Sequence, residues 1–250
     1  MVELNEVVKY LDELLPLNGL EDNAINGLQV EGNATVTKVL FAVDACTMAF
    51  AKAAEMGCQL VVVHHGIYWK GQDTRVVGWR KPRIELLLRN NISLYASHLP
   101  LDRHKEIGNN VAILSTLGAR VDQPLSPEPS IGWVGEVKKG LPLPEIVRRF
   151  EQAYGAKCQV LSFGKQDVRR IAVCSGRSSR SHLLEAIAKN CDVFITGEPT
   201  DVYHIAKETK INVIFMGHYA SEIGGMISLA ERVRKKFKLE TNVVDIPTGL

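Results

Sequence analysis

Val39-Leu40-Phe41-Ala42-Val43-Asp44 and Leu60-Val61-Val62-Val63-His64-His65-Gly66, with a helical pattern from Ala49 to Met56 between them, decide the fold. Both runs are continuously apolar rather than alternating, which is how strands buried on both faces of a parallel sheet read. The same order returns as Ile171-Ala172-Val173-Cys174-Ser175-Gly176, a helical pattern from His182 to Lys189, and Asn190-Cys191-Asp192-Val193-Phe194-Ile195-Thr196-Gly197-Glu198-Pro199. After each comes another helical segment, Ile84 to Asn90 or Val202 to Glu208, and then a strand-like run, Ile92 to Ala96 or Ile211 to Met216. The expected fold is α/β: two similar strand-helix-strand-helix-strand halves, with largely parallel sheets and helices on both faces.

The third strand of each half ends on an echo. Ser97-His98-Leu99-Pro100-Leu101-Asp102 and Gly217-His218-Tyr219-Ala220-Ser221-Glu222 each place a small residue, a His, and a carboxylate four positions later. The first half is expected to span 1–123 and carry His64, His65 and Asp102. A Pro-rich connector follows at 124–130, where Pro124, Pro127 and Pro129 cluster, and the second half, 131–250, carries His218 and Glu222.

Composition excludes several classes. Thirty basic and 28 acidic residues are evenly mixed for a formal charge of +2, which leaves no polyelectrolyte footprint for nucleic acid or an acidic membrane. No apolar run approaches the ~20 residues a membrane span needs, and the amphipathic, acidic N-terminal segment does not read as a signal peptide. Five cysteines, odd in number and without a CxxC, suit reduced thiols, so a cytoplasmic protein is expected. The basic stretch Arg232 to Lys238 follows a helix pattern and reads as a solvated face at a helix C-terminus.

In open α/β sheets ligands gather at the carboxyl ends of strands, where His64, His65, His98, Glu198 and His218 all fall. Each has a plainer reading: a satisfied polar residue for a His, a cap or turn for Asp102, a first-turn helix charge for Glu222. That plainer reading is preferred for His104, His182 and His204, which lack a partner carboxylate. Together, His64, His65, Asp102, His218 and Glu222 offer three imidazoles and two carboxylates, enough for two cations with one bridging carboxylate and too many for one closed zinc site.

Several phrases carry a family resemblance: Asn26-Gly27-Leu28-Gln29-Val30-Glu31-Gly32, Val63-His64-His65-Gly66-Ile67-Tyr68-Trp69-Lys70-Gly71, Leu94 to Asp102, Gly108-Asn109-Asn110, Ile195-Thr196-Gly197-Glu198 and Gly217 to Glu222. The chain resembles the Nif-three-like family, the GTP cyclohydrolase 1 type 2 homologues, from its N-terminal helix to Asp245-Ile246-Pro247. The resemblance implies a dinuclear metal site with His64 and His218 on one cation, His65 and Asp102 on the other, and Glu222 bridging. It also implies a toroidal homohexamer, in the short form without the mid-chain inserted domain. His98 matches a motif position but is not carried over as a ligand; it is expected to act as an acid–base group or to orient a ligand or substrate.

Mixed imidazole and carboxylate ligands suit zinc, iron(II), manganese or nickel. Two such cations would lower the pKa of water and clamp a substrate oxygen, which fits hydrolysis of a phosphoester, an amide or a ring C–N bond. His98 or Glu198 could serve as acid or base, whereas no Gly-rich phosphate loop is present; Lys70, Arg75, Arg80, Lys81 and Arg83 form only a loose basic cluster. The expected function is a metal-dependent hydrolase acting on a nucleotide or related heterocycle. The alternatives are a metal carrier or cofactor-assembly protein, and a regulatory module with structural metals.

Overall fold

A computed structural model describes residues 1–250. In chain order the elements are β1 (Val2–Glu3), α1 (Leu4–Leu14), β2 (Gly27–Val30), β3 (Thr35–Val36), β4 (Lys38–Asp44), α2 (Thr47–Glu55), β5 (Leu60–His65), α3 (Arg80–Arg89), β6 (Ser93–Ala96), α4 (Leu99–Arg103) and α5 (Asn109–Thr116). They continue as β7 (Arg120–Pro124), β8 (Trp133–Pro142), α6 (Leu143–Tyr154), β9 (Gln159–Leu161), β10 (Asp167–Cys174), α7 (Arg180–Ala188), β11 (Val193–Thr196), α8 (Tyr203–Thr209), β12 (Asn212–Phe215), α9 (His218–Phe237) and β13 (Glu240–Val243). They form two compact units, residues 1–101 with 226–246 and residues 102–225 with 247–250.

The first unit holds a five-stranded sheet ordered β13-β4-β5-β6-β2, parallel throughout except for β2. Leu40, Ala42, Val61, Val63, Leu94 and Ala96 turn one face toward Ala49, Phe50 and Ala53 of α2 and Ile84 and Leu87 of α3. The alternate residues Val39, Phe41, Val43, Leu60, Val62 and Tyr95 are buried as well. On that face the Tyr95 hydroxyl donates to Asp12 of α1 at 2.8 Å. Burial on both faces is why these strands carry no polar alternation.

The second unit holds a six-stranded sheet ordered β7-β8-β10-β11-β12-β9. Its centre, β10-β11-β12, is parallel as the repeat predicts, while β7, β8 and β9 pair antiparallel around it. Ile171, Val173, Val193, Ile195 and Ile214 pack with Ile113 and Leu114 of α5 and Ile146 and Phe150 of α6. The opposite face, Ala172, Cys174, Phe194, Val213 and Phe215, packs with Leu183 and Ala186 of α7 and Ala206 of α8. Each large side chain so buried contributes about 1.5–3 kcal/mol.

Two expectations about the division of the chain are corrected. The Pro-rich stretch 124–130 is not a connector between halves; it is the last residue of β7 and most of the loop leading to β8, and the two strands pair antiparallel with Pro124 opposite Trp133. β7 is an edge strand, where a proline lacking its N–H is tolerated, so turn chemistry inside one unit read as a linker. The change of unit falls at Leu101–Asp102, so Asp102 belongs with His218 and Glu222. The chain returns to the first unit within α9, and β13 pairs parallel with β4 through Thr241 and Val39. No helix is long and apolar enough to cross a membrane.

Candidate metal centre

In the first unit, β5 ends on His64 and His65 and the chain breaks at once into Gly66. Adjacent strand residues point to opposite faces, but at this break the two rings approach with centroids 4.6 Å apart. Each is oriented by the end of a neighbouring strand. His64, fully buried, sets Nδ1 3.0 Å from the Ser97 carbonyl just after β6, and His65 sets Nδ1 2.9 Å from Asp44 Oδ1 at the end of β4. His98 joins them, its ring centroid 5.1 Å from His64 and 5.5 Å from His65. One ring nitrogen from each of the three lies within 4.8 Å of the others.

His98 has its own anchor. Asp22, 3% exposed, places Oδ1 2.7 Å from His98 Nδ1 and takes further bonds from Asn26 Nδ2 and the Ala24 and Leu99 N–H groups, while the His98 N–H donates to Asn26 Oδ1. Burial raises the Asp22 carboxyl, but the bonds from His98, Asn26 and Ala24 outweigh it and hold the pKa down at about 2.

In the second unit, His218 opens α9 and Glu222 lies one turn on, so that His218 Nε2 is 3.2 Å from Glu222 Oε1. His218 Nδ1 sits 2.6 Å from Glu198 Oε1, just beyond β11. Burial disfavours a charged ring here, yet Glu222 and Glu198 on its two nitrogens push the pKa up to about 9. A carboxylate oxygen of Asp102 lies within 4.8 Å of one of Glu222. Asp102 Oδ1 accepts from Asn109 Nδ2 and from Ser175 Oγ, both at 2.8 Å. Asn109 accepts the Gly225 N–H, and Asn110 binds the Asp102 carbonyl and accepts the Ser175 N–H, which ties α4, α5, β10 and α9 to one carboxylate. Gly176 follows with φ +61°, and a Cβ there would lie 2.3 Å from Glu222 Oε1, so this glycine lets backbone pass directly against the carboxylate.

The structure thus gathers His64, His65 and His98 in one unit and Asp102, His218 and Glu222 in the other. It gives Glu198 to His218 as an orienting carboxylate. The plainer readings hold elsewhere. His104 Nδ1 accepts the Glu106 and Ile107 N–H groups in a turn, and His182 Nδ1 accepts the Ser179 N–H in the capping box of α7. Cys174 is buried beside Asp102 and Glu222, and both burial and those charges push its thiol up, away from thiolate chemistry. Sequence reasoning missed Asp22, Asp44, Ser175 and Gly176, and quoted Asn109 and Asn110 without a role. The available signals were Asp44 closing an apolar run and two adjacent asparagines entering a helix, residues that are rarely buried unless hydrogen-bonded.

Fold and site together define an α/β protein with imidazoles and carboxylates at its strand ends, able to hold a metal ion. The chain belongs to the DUF34/NIF3 family: the model described as Duf34/NIF3 (NGG1p interacting factor 3) matches residues 2–248. It is similar to the GTP cyclohydrolase 1 type 2 homolog of Archaeoglobus fulgidus, 44% identical with each chain covered fully. Among solved structures it is similar to the protein ybgI, described as of unknown function, with a TM-score of 0.91, 34% identity and full coverage of both chains. TTHA1606 from Thermus thermophilus gives a TM-score of 0.84 at 38% identity, again over both full chains.

Proposed function

We propose that this protein is a metal-dependent hydrolase in which His64, His65, Asp102, His218 and Glu222 hold two divalent cations. One observation carries the reading. The Nδ1 atoms of His64, His65 and His218 each face a carbonyl or carboxylate oxygen at 2.6–3.0 Å, so Nε2 is the nitrogen each ring would turn to a cation, and in His218 that nitrogen already faces Glu222 Oε1 at 3.2 Å. A carboxylate or carbonyl behind an imidazole is the usual support of a metal ligand, because it fixes both the tautomer and the ring plane. Asp102 is supported in the same way by Asn109 and Ser175. The donor set of imidazole and carboxylate, with Cys174 kept as a thiol, suits zinc, iron(II), manganese or nickel.

When bound, such cations lower the pKa of water and polarise a substrate oxygen. The chain's own residues do the rest. Asp44, Glu198 and the Ser97 carbonyl aim the rings, Asn109 and Ser175 hold Asp102, and His98, its Nδ1 committed to Asp22, offers Nε2 as the acid–base or positioning group. The relatives' name supplies the substrate class, a nucleotide or related heterocycle. Five cysteines without a disulfide agree with a reducing compartment, and we read the protein as cytoplasmic.

The test is elemental analysis of the purified chain and of Glu222→Ala, paired with a hydrolysis screen over nucleotides and phosphoesters. Near two cations per chain in the wild type, both diminished in the variant, with metal-dependent turnover, is the expected result. One cation or none, unchanged by the substitution, would overturn the paired site; two cations without turnover would replace the hydrolase with a metal carrier.

A further inference from the structure

Trp69 stands beside the three-imidazole cluster and has no part in the metal reading. Its ring centroid is 5.1 Å from His98 and 6.0 Å from His65. It is neither a core residue nor a surface one, being partly buried while Ile67, two residues before it, is 3% exposed. Its polar atom is already satisfied, the indole N–H donating to the Gly66 carbonyl at 3.2 Å, so what it presents is aromatic surface.

The ring is also held still. Trp69 pairs across an antiparallel bridge with Ala24, flanked by the Ile25 N–H to the Tyr68 carbonyl at 3.0 Å and the Lys70 N–H to the Asn23 carbonyl at 2.7 Å. The short segment that grips it also carries Asp22, the anchor of His98. A further clamp comes from Gln29, whose Oε1 accepts the Ile67 N–H at 2.8 Å, and Gly66 packs so closely on the Gln29 amide that a Cβ would meet it at 2.3 Å. Trp69 is therefore preorganised relative to His65 and His98, and ordering it on binding costs little. Exposed Lys70 follows it directly.

We propose that Trp69 is the stacking platform for the heterocyclic ring of the substrate, a planar nucleobase, and so the residue that selects a nucleoside over a simple phosphoester. This rests on the hydrolase reading for the identity of the site and deepens it by naming the part of the substrate that the protein grips. A planar base offers a π-face to the indole, and such stacks are sequence-tolerant but demand an aromatic partner. Phosphates, if present, contribute separately through cations such as Lys70.

The test measures dissociation constants of guanosine, GTP and inorganic tripolyphosphate by calorimetry on the purified protein, on Trp69→Phe and on Trp69→Leu. Guanosine and GTP are expected to bind the wild type and Trp69→Phe within about threefold of one another, and to lose at least about tenfold in Trp69→Leu, the loss of one base-on-ring stack. Tripolyphosphate affinity is expected to be unchanged. A Trp69→Leu protein that holds guanosine and GTP within twofold of the wild type overturns the proposal, as does a wild type that binds neither. If Trp69→Leu fails to fold, quenching of Trp69 emission by guanosine in a Trp79→Phe, Trp133→Phe chain reads the same contact, and absence of quenching overturns it. Metal content in each variant separates the two readings. A chain without metal that still binds guanosine through Trp69 sinks the hydrolase and leaves the platform, whereas a metal-loaded chain indifferent to Trp69 does the reverse.

Discussion

Asn109 is fully buried and uses both ends of its amide, Nδ2 on Asp102 and Oδ1 on the Gly225 N–H. Asn109→Ala strips a carboxylate and a backbone donor at once, and urea denaturation should show a loss of about 2–4 kcal/mol together with weakened metal retention. Gly176→Ala forces a Cβ to within 2.3 Å of Glu222 Oε1 at a φ of +61°, so metal content should fall even if the protein remains folded. Asp22 adds a pH dependence. Its folded pKa of about 2 lies below the ordinary carboxyl value of 3.8, so its contribution, on the order of 2 kcal/mol, is present above pH 3.8 and is lost as pH falls through 2. The stability gap between wild type and Asp22→Asn should therefore narrow from about pH 4 downward in an acid series of urea melts; a gap independent of pH would remove the charge from the argument. His64, His65 and His218 were legible as histidines at strand ends, and Asp102 and Glu222 as carboxylates four positions after a histidine. The groups behind them were not, because Asp22 is 76 residues from His98 and Ser175 is 73 from Asp102.

At the scale of elements, periodicity was the reliable signal. The runs that became β4, β5, β10 and β11 carry long apolar stretches, and the sheets bury both of their faces. α6 shows what the helices add. Phe150 is fully buried against the second sheet, so Phe150→Ala should cost about 3–5 kcal/mol by chemical denaturation. Ser179→Ala, which removes the capping box of α7 from an exposed helix start, should cost only about 1 kcal/mol by the same measurement. The antiparallel borders β7, β8 and β9 lie outside the repeated pattern. Their residues are partly exposed and mixed in character, so nothing in their period distinguished a strand from a loop.

For the whole molecule the metal reading makes a stability claim. If the cations bind the folded chain and not the unfolded one, a chelator should lower the melting temperature and readdition of zinc or manganese should restore it; a melting curve indifferent to both would count against bound metal. The toroidal homohexamer that the resemblance implies is a matter for sedimentation, with a species of six times the 27.7 kDa chain as the expected result. The sequence by itself determined the order of the repeated strands and helices, the repeated carboxyl-end histidines and the absence of any membrane-length helix, because each follows from local periodicity or from residue type at a strand end. Only the tertiary structure decided where the units divide, that β13 returns to pair with β4, and which buried carboxylates, amides and carbonyls orient the imidazoles. Those are pairings between residues far apart in the chain, and no local pattern encodes a hydrogen bond whose partner lies in another strand.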